Sequence, residues 1–153
     1  MLLQPVLNLP LVRSPVAPVT MNVSPGTVDA GTVADVAEFG GTNVDIGEES
    51  ASTPGFLVEF VFSGLETVRG FQYRVQYVGS APHTVELEVY NYIATDWDFV
   101  RRIYNRTSME TGSIRVDPRA YWSAGAALLR FNHTSQGVGT HYLLIDFIGA
   151  ETA

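Results

Sequence analysis

The run Phe56-Leu57-Val58-Glu59-Phe60-Val61-Phe62 decides the fold class, together with Phe71-Gln72-Tyr73-Arg74-Val75-Gln76-Tyr77-Val78 and Val85-Glu86-Leu87-Glu88-Val89-Tyr90. In each, large apolar side chains recur at every second position. That period puts one set of side chains on one face of a pleated strand and the other set on the opposite face. The last two runs flank Gly79-Ser80-Ala81-Pro82, a turn signal. They read as an antiparallel hairpin whose outer face would set Arg74 and Gln76 near Glu86 and Glu88.

Outward from this block, further strands are expected over 97–104, 113–116, 126–132 and 142–148. The last, Tyr142-Leu143-Leu144-Ile145-Asp146-Phe147-Ile148, is apolar on both faces and belongs in a central or covered position. No segment sustains a 3.6-residue period. Short strands at 8–12-residue spacing predict an all-β fold, an antiparallel β-sandwich (jelly roll), over residues 55–153.

Upstream, two segments differ. Residues 1–26 hold prolines 5, 10, 15, 18 and 25. Proline lacks the ladder donor and biases its predecessor to extended backbone, so this is an extended arm. Its Leu2, Leu3, Val6, Leu7, Leu9, Leu11, Val12, Val16 and Val19 need a surface to lie on, which is expected to be another subunit, with the chain's own sandwich as the alternative. Fully extended, 26 residues would reach on the order of 80–90 Å. Residues 27–54 are rich in Gly, Ser, Thr and acids and read as lead-in loops with short edge strands.

Several function classes are set aside by composition. Cysteine is absent, so there is no disulfide framework and no thiolate site. All nine basic residues are Arg. Arg13 stands against eight acids in residues 1–66, whereas residues 67–153 hold eight Arg and eight acids. With no clustered positive charge, nucleic acid is not an expected partner. The N-terminus lacks a basic n-region, and Pro5 and Pro10 break its apolar stretch, so it does not read as a signal peptide. No apolar run is long enough to span a bilayer. The sequons at Asn22, Asn105 and Asn132 then read as chance matches.

No catalytic constellation stands out, and the expectation is a protein that is not an enzyme, with no cofactor and no metal. His83, His133 and His141 are scattered over turns and strand ends and read as turn or surface residues. His141 and Asp146, five apart, would point to opposite faces of a strand. Asp96 and Asp98 around Trp97 read as a polar corner rather than a glycosidase pair. Asp45, Glu48 and Glu49 read as a solvated acidic loop rather than a calcium site. Tyr90, Tyr92, Trp97, Tyr121 and Trp122 serve packing, with a glycan platform as the second reading.

Residues 55–149 resemble the galactose-binding-like (discoidin-type) jelly roll. The resemblance is carried by Val85-Glu86-Leu87-Glu88-Val89-Tyr90-Asn91-Tyr92, the Thr95-Asp96-Trp97-Asp98 corner and Arg119-Ala120-Tyr121-Trp122. It continues through Leu128-Leu129-Arg130-Phe131-Asn132 and Leu144-Ile145-Asp146-Phe147-Ile148. It implies non-covalent recognition of sugars, lipids or proteins, or a structural role on enzymes or phage particles. No ligand-contacting residue of that family maps onto a position here.

Two functions follow as expectations. The first is a non-catalytic virion structural protein, a phage capsid decoration (cement) or head/tail accessory protein. It would assemble in the host cytoplasm as a homo-oligomer, a trimer by expectation, and grip neighbouring capsid subunits through its arm. The alternative is a carbohydrate-binding module or host-recognition domain, cytoplasmic or secreted. An accessory domain of a hydrolase is a third reading, disfavoured by a chain with nothing attached.

Overall fold

The computed structural model describes residues 14–152. Ten strands form two antiparallel five-stranded sheets packed face to face. They are β1 (Thr20–Val23), β2 (Thr27–Ala30), β3 (Val44–Gly47), β4 (Phe56–Phe62), β5 (Gly70–Val78), β6 (Thr84–Asn91), β7 (Asp96–Tyr104), β8 (Glu110–Arg115), β9 (Ala127–His133) and β10 (Tyr142–Glu151). A single helical turn, α1 (Pro118–Tyr121), precedes β9 and is capped by the Asp117 side chain. One sheet runs β1-β4-β9-β6-β7 and the other β2-β3-β10-β5-β8. The all-β jelly-roll expectation therefore holds.

The core is what the period-two runs dictate. Phe56, Val58, Phe60 and Phe62 of β4 are fully buried and face Phe71, Tyr73, Val75 and Tyr77 of β5 in the same cluster. Each large apolar side chain removed from water in this way contributes roughly 1.5–3 kcal/mol before conformational entropy is set against it.

The β5–β6 hairpin does not form. β5 pairs with β10 and β8, whereas β6 pairs with β7 and β9 in the other sheet. The chain crosses the sandwich at Gly79–Thr84, so the outer faces of β5 and β6 point to opposite sides of the molecule. Arg74 pairs with Asp146 on one side, and on the other Glu86 pairs with Arg102 and Glu88 with Arg130. Alternation records which side of a strand is buried and carries no information on which neighbour it takes.

The divisions drawn at 26 and 54 are not breaks in the hydrogen bonding. Within 27–54, β3 lies inside its sheet between β2 and β10, and its Val44 and Ile46 are fully buried. Only two apolar residues in Val-Asp-Ile-Gly alternate, too few to register against the surrounding Gly, Ser and acids. Within 1–26, Val16 and Ala150 exchange two backbone bonds of 2.8 Å. β1 then pairs along β4 at the sheet edge, where neighbouring prolines are tolerated. Of the proposed arm contacts, Leu2 to Val12 lie outside the described residues.

β10 is the central strand of its sheet. A bulge between Ile145 and Phe147 brings Asp146 and Phe147 towards the outer side, yet both stay buried. Phe39 stacks on Phe147 with ring centroids 4.1 Å apart. Asp146 accepts from the Gly40 N–H at 3.0 Å and from Arg74 Nη1 at 2.9 Å. The loop after the 3-10 turn Val33–Val36 thus covers this face.

Candidate functional site

Among the described residues no loop covers the outer face of the other sheet, and its side chains follow from register. Glu59 stands opposite Arg130, Arg130 opposite Glu88, and Glu88 opposite Phe99. In the next row Val61 faces Leu128, and Tyr90 faces Trp97. A bulge between Leu87 and Glu88 in the β6–β7 ladder puts both Phe99 and Arg102 on the outer side.

Four residues, Tyr92 to Thr95, join β6 to β7. Asn91 Oδ1 accepts the N–H groups of Ile93 and Ala94 at 2.9 and 3.0 Å. Thr95 takes the left-handed φ of 55° that closes the turn. This local chemistry sets three rings together: Tyr90 meets Trp97 at 5.3 Å and Tyr92 at 5.1 Å between centroids, both edge to face. The Arg130 guanidinium lies 4.2 Å from the Trp97 ring centroid. Its Nε donates to Glu88, whose second neighbour is the Asn132 amide at 3.5 Å. Arg102 approaches the Phe99 ring at 5.6 Å and Glu86 at 3.6 Å. Phe99 is 54% exposed.

Of the five aromatic residues named from sequence, the structure gathers Tyr90, Tyr92 and Trp97 and leaves out two. Tyr121 and Trp122 are packed against the core cluster. The Trp122 indole donates to Leu65 O at 3.1 Å, and the Tyr121 hydroxyl donates to Asp98 at 2.7 Å. Asp98 also accepts from Asn91 at 2.8 Å, and these two bonds, Asn91 first, hold its carboxyl below the ordinary value. Asp96 accepts the Trp97 N–H at 2.8 Å, the local bond expected of a corner. Sequence reasoning missed Arg130, Glu88, Phe99 and Arg102. The only local signal was the polar alternation of β6 and β9.

Such a face can hold a ligand by apolar contact with ring edges and the exposed Phe99, and by hydrogen bonds from a mixed-sign polar row. The rings are not coplanar, so they do not make a flat platform.

A second cluster sits at the end of the sandwich where β3, β5, β6, β9 and β10 meet. The Glu48 side chain is fully buried there. It accepts from the Tyr77 hydroxyl at 2.8 Å and from the Val138 N–H at 2.7 Å. His133, also fully buried, brings Nε2 to 3.2 Å from Glu48, and His141 brings Nδ1 to 3.5 Å. The His83 ring packs 5.2 Å from His133 and 5.3 Å from His141. Burial holds the His133 imidazole below its ordinary pKa, with Glu48 opposing and His83 and His141 reinforcing the shift. Burial, then the Glu48 bond, pushes the Tyr77 phenol up, so it stays a donor. His83 and His141 do stand at turns, partly buried, whereas the surface reading fails for the fully buried His133, as does that of Glu48 in a solvated loop. The topology brings together positions 48, 83, 133 and 141, which no spacing rule links.

No family model matches the chain, and no curated protein sequence does. Solved structures share the fold. A family 29 carbohydrate-binding module complexed with mannohexaose matches with a TM-score of 0.58 and 14% identity, over 90% of this chain and 85% of that one. A family 61 module in complex with β-1,4-galactotriose matches with a TM-score of 0.55 and 14% identity, over 87% and 88%. A family 29 module complexed with cellulohexaose gives 0.53 and 14%, over 86% and 92%. The chain thus shares the two-sheet β-sandwich (jelly-roll) fold of these modules. At such identity the likeness fixes the fold alone.

Proposed function

We propose that this protein is a non-catalytic glycan-binding module whose binding face is the outer surface of the β1-β4-β9-β6-β7 sheet. The observation that carries this reading is the band, under no loop of the described residues, in which Tyr90, Trp97 and Phe99 lie among Arg130, Glu88, Arg102 and Glu86. Sugar C–H faces pack on aromatic rings, while hydroxyls take charge-assisted hydrogen bonds from carboxylates and guanidinium groups. The fold shared with modules solved with bound oligosaccharides supports it.

The ligand class follows from the geometry. Three carboxylates, Glu59, Glu86 and Glu88, against Arg130 and Arg102 disfavour a polyanionic glycan. Rings set edge to face do not suit the flat surface of a crystalline polysaccharide. A single neutral oligosaccharide chain, lying across the strands, fits both.

The virion reading drew on the arm of residues 1–26; its positions 2–12 lie outside the described residues, and Val16, Val19 and 20–23 pair with the sandwich itself. Among the described residues no helix is long and apolar enough to cross a membrane.

Calorimetric titration of the full chain with mannohexaose, cellulohexaose and galactotriose, backed by a glycan array, tests the proposal. At least one neutral oligosaccharide should bind, Trp97→Ala should weaken it at least tenfold, and Trp122→Ala should leave it nearly unchanged. Binding that Trp97→Ala leaves intact, or silence across the array, sinks it. Deleting residues 1–13 should not alter affinity. A change in particle mass on that deletion with no glycan bound would return the assembly reading.

A further inference from the structure

The three histidines of the chain, His83, His133 and His141, all converge on one buried carboxylate. They come from both sheets: His133 ends β9 and His83 precedes β6, while Glu48 follows β3 and His141 precedes β10. One donor atom from each of Glu48, His83 and His133 lies within 4.8 Å of the others. The Nδ1 atoms of all three imidazoles are buried without a hydrogen-bond partner among the described residues.

A polar group buried without a partner costs free energy, and a cluster of them in a sandwich core is expensive unless something uses it. The three imidazoles surround a single carboxylate. As neutral ligands they offer nitrogen lone pairs, and Glu48 offers one anionic oxygen. We propose that Glu48, His83 and His133, with His141 as the fourth ligand, form a structural site for a divalent transition-metal ion of the zinc type.

The donor chemistry selects the ion. Imidazole suits Zn²⁺ and its neighbours, whereas calcium takes six to eight hard oxygen ligands, and only Glu48 supplies one here. Tetrahedral zinc with bonds of about 2.0–2.1 Å sets its donors about 3.3 Å apart. The 3.2 Å between Glu48 Oε1 and His133 Nε2 matches that edge, while His141 Nδ1 lies 3.5 Å from the other carboxylate oxygen, Oε2. Tyr77 and the Val138 N–H, each bonded to a different Glu48 oxygen, would orient the ligating carboxylate. Because the ligands come from both sheets, the ion would tie the two layers together at this end. This inference does not rest on the glycan reading.

The experiment uses the full chain without a histidine tag, stripped with a chelator and then dialysed. Calorimetry with ZnCl₂ should show one ion per chain. Saturating Zn²⁺ should raise Tm by several degrees, and CoCl₂ should give the visible bands of tetrahedral nitrogen–oxygen coordination. CaCl₂ should do neither. His83→Ala and His141→Ala, both at partly exposed positions, should stay folded by circular dichroism and weaken Zn²⁺ at least tenfold. Trp97→Ala should bind Zn²⁺ normally. The proposal is overturned if the stripped wild-type chain takes up no Zn²⁺, or if both histidine variants bind it unchanged. Should either variant fail to fold, the Co²⁺ spectrum of the wild-type chain decides alone.

Discussion

The two sheets carry the same alternation along their strands, yet their outer faces differ in kind. On the β2-β3-β10-β5-β8 sheet, Phe147 is capped by Phe39, and Asp146 is closed in by Arg74 and the Gly40 N–H. On the β1-β4-β9-β6-β7 sheet, Tyr90, Trp97 and Phe99 keep part of their surface in water, and Arg130 and Arg102 lie against rings instead of beneath a loop. Among the described residues, one face is closed over by a loop and the other is not. A face whose groups serve stability should answer to substitution with loss of stability. A face kept for a ligand should answer with loss of binding.

The largest effect is expected on the covered face. Phe147→Ala removes a side chain that is 5% exposed and leaves Phe39 without its stacking partner. Large-to-small changes of this sort cost about 3–5 kcal/mol. Urea denaturation should place Phe147→Ala in that range with its m-value unchanged. A cost below about 1 kcal/mol would mean that the loop is not a true cover, and the contrast between the faces would dissolve.

The matching substitution on the open face is Phe99→Ala. With 54% of Phe99 exposed, its loss should move stability by no more than about 0.5–1 kcal/mol. Affinity for the oligosaccharide that Trp97 binds should fall several-fold. If Phe99→Ala proved as destabilising as Phe147→Ala with affinity intact, the two faces would be equivalent and the proposed ligand face would be wrong.

What could be read from the chain before folding follows the same division. The Phe56–Phe62 alternation was legible because burial there repeats within one strand. Tyr90, Tyr92 and Trp97 were legible as a group because a four-residue turn joins their strands. Arg130 was not, because it reaches Trp97 from β9 only when β6 takes β9 as its other neighbour. The same holds for Glu48 and the three histidines, which lie at four strand ends and meet only in the finished sandwich. The β5–β6 hairpin went wrong for a related reason: two consecutive strands with a turn between them satisfy the pattern whether they share a sheet or face each other across the core.

The smallest effect separates the two aromatic residues that sequence grouped with the open face from those that lie on it. Tyr121 donates to Asp98 but packs on the core cluster, so Tyr121→Phe should leave glycan affinity unchanged where Trp97→Ala abolishes most of it. It should act on Asp98 instead. With its folded pKa held low by Asn91 and then Tyr121, Asp98 contributes stability that is present above its unfolded value of about 3.9 and lost as pH falls through the folded one. Removing the Tyr121 donor should raise the folded value towards the ordinary one and so bring the acid loss of stability to slightly higher pH. Asp98 is partly exposed, so solvent screens the effect, and the whole-protein cost at neutral pH should stay below about 1 kcal/mol. Carboxyl NMR titration of Asp98 in the two proteins reads the shift directly. An unchanged Asp98 titration in Tyr121→Phe, together with weakened glycan binding, would return Tyr121 to the ligand face.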